Sequence, residues 1–121
     1  GTMRQSGVLA ACALHALDHH RVRLVDDHAN AKVLADGLAQ FPGLSVEPVE
    51  TNIVFVNLSQ SLGMDAAQFC TKLKAMGVWA LPNAPARVRM VTHLDVDREM
   101  IDRAVACVAQ LVGVGARAAV V

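Results

Sequence analysis

The sequence predicts an α+β fold: a long N-terminal helix, then a small, mostly antiparallel sheet covered on one face by helices. Three observations predict it. Residues 5–40 contain no proline and repeat apolar residues at helical spacing. Four short strand-like segments follow, none long enough for a helix of average length. The two helical segments set among and after them each open on an aspartate suited to capping, Asp65 and Asp97.

The N-terminal pattern runs from Gln5 to about Gln40. Leu14, Leu17, Leu24, Ala31, Leu34 and Leu38 are spaced by three, four and seven, which predicts one long helix or two collinear ones. Its first half, Val8 to Leu14, is apolar nearly all round and so predicts burial on several sides. Its second half places Asp26, Asp27, Asn30, Lys32 and Asp36 on an expected solvent face. Pro42-Gly43 stops the helical pattern.

Leu44–Val46 and Ile53–Leu58 read as strands, the second a compact β-branched and aromatic run. Asp65 with Gln68 three residues on is a capping-box pattern, opening a helix to about Met76 with Gly77 just past its end. Val78–Leu81 predicts a strand ended by a Pro82–Pro85 loop, and Arg87–Thr92 alternates as a strand should. Asp97 caps a last helix, with Glu99 near its positive end, which closes near Gly113. These elements divide the chain into a linking helix (1–40), a small α+β domain (41–113) and a disordered tail (114–121).

At 121 residues there is room for one domain. A composition of 54% hydrophobic and 18% charged residues excludes disorder and leaves few polar side chains to cover so small a body. Some apolar surface therefore expects a partner, and a homo-oligomer is anticipated. Eleven basic and eleven acidic residues cancel without blocks, so neither nucleic acid nor an anionic membrane is an expected partner. The apolar run Val8–Leu17 is too short to cross a bilayer, and no signal peptide is visible. Cys12, Cys70 and Cys107 are odd in number, far apart and set in apolar runs. They predict free, buried thiols and a cytoplasmic protein rather than a disulfide framework.

Four ordered segments carry a resemblance. They are Met3-Arg-Gln-Ser-Gly-Val-Leu-Ala-Ala11, Leu24-Val-Asp-Asp-His-Ala-Asn30, Glu50-Thr-Asn-Ile-Val-Phe55 and Val88-Arg-Met-Val-Thr-His-Leu-Asp-Val96. In order and spacing they resemble the low-specificity threonine aldolases, within the aspartate aminotransferase-like, fold type I, pyridoxal-phosphate enzymes. The resemblance implies the small C-terminal domain of such an enzyme with the helix leading into it. It also implies cleavage of threonine or allo-threonine to glycine and acetaldehyde, with pyridoxal phosphate as cofactor of the complete enzyme. Lys32, Lys72 and Lys74 are the only lysines, and none stands in the family's cofactor-lysine context. The chain alone is therefore expected to lack catalytic residues, to bind no cofactor unaided, and to need a large cofactor-binding domain as partner. The family has glycines before its Met-Arg-Gln segment. Here Gly1-Thr2 precede Met3, and they read as an expression remnant before a shortened reading frame, or as the start of a piece of a longer chain.

The resemblance assigns two arginines. Arg89 takes the place of the ligand for the substrate carboxylate, a task that suits a planar guanidinium. The bland alternative is a surface arginine on an edge strand. Arg4 takes the place of a ligand for the cofactor phosphate, near a helix N-terminus; the alternative is a fraying terminal residue. Arg87 shares a strand face with Arg89 at period two, but the family carries an apolar residue there, so Arg87 reads as a surface residue or decoy. Thr92, His93 and Asp95 are expected to shape the turn that holds Arg89, and Asn52 to pair with nearby backbone. His15, His19 and His20 read as helix-surface histidines rather than metal ligands. A stand-alone module for binding or oligomerisation, without catalysis, is the competing function.

Overall fold

The computed structural model describes residues 3–113. The expected tail at 114–121 and the Gly1-Thr2 remnant lie outside the described residues. Helix α1 (Ser6–His19) leads through a 3-10 turn at Arg21–Arg23 into α2 (Leu24–Leu38). Then come β1 (Leu44–Val46), β2 (Ile53–Leu58), α3 (Ala66–Ala75), β3 (Leu81–Ala84), β4 (Arg87–Val91) and α4 (Arg98–Leu111). The long helical stretch is thus two helices with a tighter turn between them.

The four strands form one antiparallel sheet in the order β1-β2-β4-β3. Alternation fixes which face is which. Val54, Val56 and Leu58 of β2 and Val88 and Met90 of β4 are buried, while Phe55, Asn57, Arg87 and Arg89 point to the opposite side. Helices α2, α3 and α4 all cover the first face, closing a core around Leu34, Leu38, Phe69, Leu73, Ile101 and Val108. The second face carries no helix among the described residues.

Helix α2 buries Asp27, Asn30, Ala31, Leu34, Ala35 and Leu38, a single stripe at steps of three and one. Asp27 and Asn30 therefore do not belong to the solvent face expected for them, whereas Asp26, Lys32 and Asp36 do. Burial is tolerated because both are satisfied. Arg23 one turn earlier grips Asp27 with two hydrogen bonds (2.8 and 3.1 Å), and Asn30 Nδ2 donates to the Val96 carbonyl at 3.2 Å.

Both aspartate caps form. Asp65 accepts from the Gln68 amide while Gln68 returns a bond to the Asp65 amide, and Asp97 accepts from the Met100 amide. Gly77 and Gly113 follow their helices with φ of 85° and 78°, the left-handed conformation that closes a helix at low cost to glycine alone.

Further expectations need correction. The third strand is Leu81–Ala84, not Val78–Leu81, so Pro82 sits inside a strand rather than opening a loop. A proline gives no ladder N–H, and β3 lies at the sheet's edge with a register shift between Pro82 and Ala84, where that loss is accommodated. Helix α1, expected to be buried on several sides, buries none of its residues: Val8, Leu9, Leu14 and Leu17 are each more than half exposed. Cys12 is likewise exposed; Cys70 is buried, and burial pushes its thiol up from the ordinary range.

Candidate functional site

Arg89 lies on β4, the strand flanked on both sides by hydrogen-bonded neighbours. It stands opposite Phe55 of β2 and Leu81 of β3, on the face away from the helices. Its side chain is half-buried, its Nε is buried without a hydrogen-bond partner, and it makes no ion pair among the described residues. A buried donor left unmet costs roughly 1–3 kcal/mol.

Arg87, two residues earlier on the same face, also has a buried Nε without a partner, but unlike Arg89 it is ion-paired through its Nη2. Its Nη2 donates to Glu47 Oε2 at 2.6 Å, and its guanidinium lies 3.8 Å over the Phe55 ring. Asn57 Nδ2 holds the other Glu47 oxygen at 3.0 Å. The hydrogen bond from Arg87, and after it that from Asn57, keep the Glu47 carboxyl below its ordinary range. Arg87 is thus a paired side chain rather than a bare surface arginine.

The end of β4 is fixed from two directions. Buried Thr92 donates its hydroxyl to the Asp27 carbonyl of α2 at 2.7 Å. Asn52, at the entry to β2, donates to the Thr92 carbonyl at 2.7 Å and accepts the Thr92 amide at 2.9 Å through its own carbonyl. The turn that follows closes with the Val96 amide on the His93 carbonyl, and His93 Nδ1 accepts from the Asp95 amide at 3.3 Å. His93 itself is exposed.

Arg4 stands apart from this cluster, exposed in the turn before α1, whose first residues receive no side-chain cap. His15 lies with its ring 4.4 Å from that of His19 and 5.4 Å from that of His20. Among the described residues no three or more His, Cys, Asp or Glu side chains gather in a way that could hold a metal.

A cavity of about 390 Å³ lies elsewhere than beside Arg89. It opens where α3 and β4 run into α4, between Val78, Trp79, Val96, Met100 and Ile101. Arg89 sits on an open face instead. Sequence reasoning singled out Arg89, expected Thr92, His93 and Asp95 to shape the turn that holds it, and expected Asn52 to pair with backbone, as it does at Thr92. It missed Glu47, Phe55 and Asn57. Period-two alternation could have placed Phe55 and Asn57 on the arginine face; Glu47 had no such signal, because it meets Arg87 only through the β1–β2–β4 register.

The helix-covered antiparallel sheet is that of a class, the aminotransferase-like fold of the fold type I pyridoxal-phosphate enzymes. Ornithine aminotransferases share it. That of Plasmodium yoelii superimposes with a TM-score of 0.61 at 14% identity, over 74% of this chain and 24% of its own. That of Toxoplasma gondii gives 0.60, also at 14% identity, over 76% and 23%. The family model described as beta-eliminating lyase matches residues 1–61, and the chain belongs to that pyridoxal-phosphate-dependent family.

Among its relatives, a probable low-specificity L-threonine aldolase 2 of Arabidopsis thaliana is 42% identical over 106 residues, 84% of this chain. The low-specificity L-threonine aldolase of Escherichia coli (strain K12) is 43% identical over 101 residues, again 84% of the chain. The chain spans 30% and 28% of the length of these two relatives.

The cofactor itself can be tested against the residues present. Lys32 is on α2, and Lys72 and Lys74 are on α3. All three are exposed on helices that cover the core face, opposite Arg89, and Lys74 lies 4.1 Å over the Trp79 ring. No lysine among the described residues could join a cofactor placed next to Arg89. The residues present do not fit covalent attachment of pyridoxal phosphate at this face. Among the described residues no helix is long and apolar enough to cross a membrane.

Proposed function

We propose that this chain supplies the carboxylate-binding arginine, Arg89, of a pyridoxal-phosphate-dependent lyase that cleaves threonine or allo-threonine to glycine and acetaldehyde. The observation that carries the reading is the half-buried Arg89, with its unmatched Nε, on the bare face of a sheet in a threonine aldolase-like chain. In this role the guanidinium grips the amino-acid carboxylate through two parallel N–H bonds and fixes where Cα sits. Phe55 walls one side of that position, and the Thr92–Asn52–Asp27 bonds keep β4 from shifting under load.

The lysine that carries the cofactor, and the base for the β-hydroxyl proton, come from a partner, the large cofactor-binding domain. The chain alone is then inactive. Pyridoxal phosphate, when bound there, supplies the electron sink for breaking the bond between Cα and Cβ. Arg4 reaches the cofactor phosphate in the assembled enzyme. Three free thiols support a reducing, cytoplasmic setting.

Replacing the matching segment of the Escherichia coli threonine aldolase with this chain tests the proposal. The chimera is expected to release acetaldehyde from threonine. Arg89→Ala should then raise KM by roughly 10²-fold, as loss of a buried charge partner does. An active chimera whose KM ignores Arg89→Ala would sink the assignment.

A second reading is a non-catalytic oligomerisation module, favoured by the bare apolar residues of α1. Both readings expect the isolated chain to form homo-oligomers. Only the first expects activity on complementation.

A further inference from the structure

The arginine face carries more charge than one carboxylate needs. Arg87 and Arg89 project to the same side of β4, about 7 Å apart along the strand. Phe55 lies between their roles, across the ladder from Arg89 and beneath the guanidinium of Arg87. Left to themselves, two guanidiniums on one face would present a dication suited to a dicarboxylate. Glu47 changes that sum. One of its oxygens takes Arg87 and the other takes Asn57, so the carboxylate is held from both ends. The face then carries two cations and one anion, matched by a single incoming carboxylate.

We propose that Glu47 is the specificity-determining residue of this face: by occupying Arg87 it leaves Arg89 alone open to a ligand, and so selects amino acids with one carboxylate over those with an acidic side chain. The inference rests on the reading of Arg89 given above. The Glu47 carboxylate is held in place by the Arg87 and Asn57 hydrogen bonds, at 2.6 and 3.0 Å. Stacking on Phe55 keeps the Arg87 guanidinium in place when the carboxylate is removed. Both partners are about one-third exposed, with side chains at 32% and 36%. Such a pair contributes little to stability, so replacing Glu47 leaves the fold standing.

The test titrates the ¹⁵N-labelled chain with acetate and with succinate at constant ionic strength, following the Nε–H resonances of Arg87 and Arg89 assigned through Arg→Lys variants. In the wild type both ligands are expected to move Arg89 with similar affinity and to leave Arg87 still. In Glu47→Gln, succinate should also move Arg87 and bind roughly fivefold tighter, while acetate changes little. Glu47→Asp, which keeps the charge, should behave as the wild type. If Arg89 responds but Glu47→Gln leaves succinate affinity unchanged, the selectivity inference is overturned and the Arg89 reading stands. If acetate never moves Arg89, the Arg89 reading itself fails.

Discussion

Thr92 shows how much one hydroxyl can organise. Its side chain is fully buried, and its Oγ1 donates at 2.7 Å to the carbonyl of Asp27, sixty-five positions away in sequence. The same Asp27 spends its carboxylate on Arg23, so a single residue of α2 ties backward along its own helix and sideways to the sheet. Valine has the shape of threonine without the donor. Thr92→Val is therefore expected to lower the unfolding free energy by about 1–2 kcal/mol in urea titration, because the Asp27 carbonyl loses its buried partner. Thr92→Ser should recover most of it. A holding role for Thr92 was expected, but its bond to Asp27 and the burial of Asp27 were not readable beforehand. The sequence marks Asp27 as a charge on a helix, and only the distant Thr92 and the nearby Arg23 make its burial tolerable.

At the scale of elements, α2 and α4 cross more closely than ordinary side chains allow. A Cβ on Gly37 would stand 2.9 Å from Cγ2 of Val105. Gly37 lies in the last turn of α2, where glycine still costs up to about 0.5–1 kcal/mol against alanine, so its presence here reflects the tight crossing. Gly37→Ala in the natural background should gain nothing in stability. With Val105→Ala alongside, the same change should become stabilising, with a coupling of about 1 kcal/mol in a double-mutant cycle. A coupling near zero would mean that the helices slide apart freely.

The local signals of these elements were legible. Asp65 with Gln68, Asp97, and the β-branched and aromatic run Ile53–Leu58 each describe preferences within a few residues, and all stand where expected. Pro82 was not legible. Whether a proline may sit in a strand depends on that strand being an edge, and edge position is set by the order β1-β2-β4-β3, which no local pattern encodes.

Across the whole molecule, stability and association are divided along the chain. Every core residue lies between Ala31 and Val108, and α1 buries none. Helices α2 and α4 pack against each other, so the core includes the second half of the N-terminal helical stretch but not the first. Removing residues 1–20 should leave the unfolding free energy within about 0.5 kcal/mol, the range of a surface change. The same truncation should abolish concentration-dependent sedimentation if Val8, Leu9, Leu14 and Leu17 drive self-association. Sequence hydrophobicity led to an expectation of burial for this stretch, and among the described residues it is exposed instead, because no other element packs on it.

The sheet's two margins bear on solubility. On one side β1 is only three residues long, and on the other Pro82 interrupts the row of donors that a stacking strand would need. Neither margin offers a long, regular template for backbone pairing, the route by which open sheets polymerise into fibres. The chain has an apolar helix and a sheet face uncovered among the described residues, yet its sheet margins do not offer that route. What association remains must run through side chains, where it can be specific and reversible.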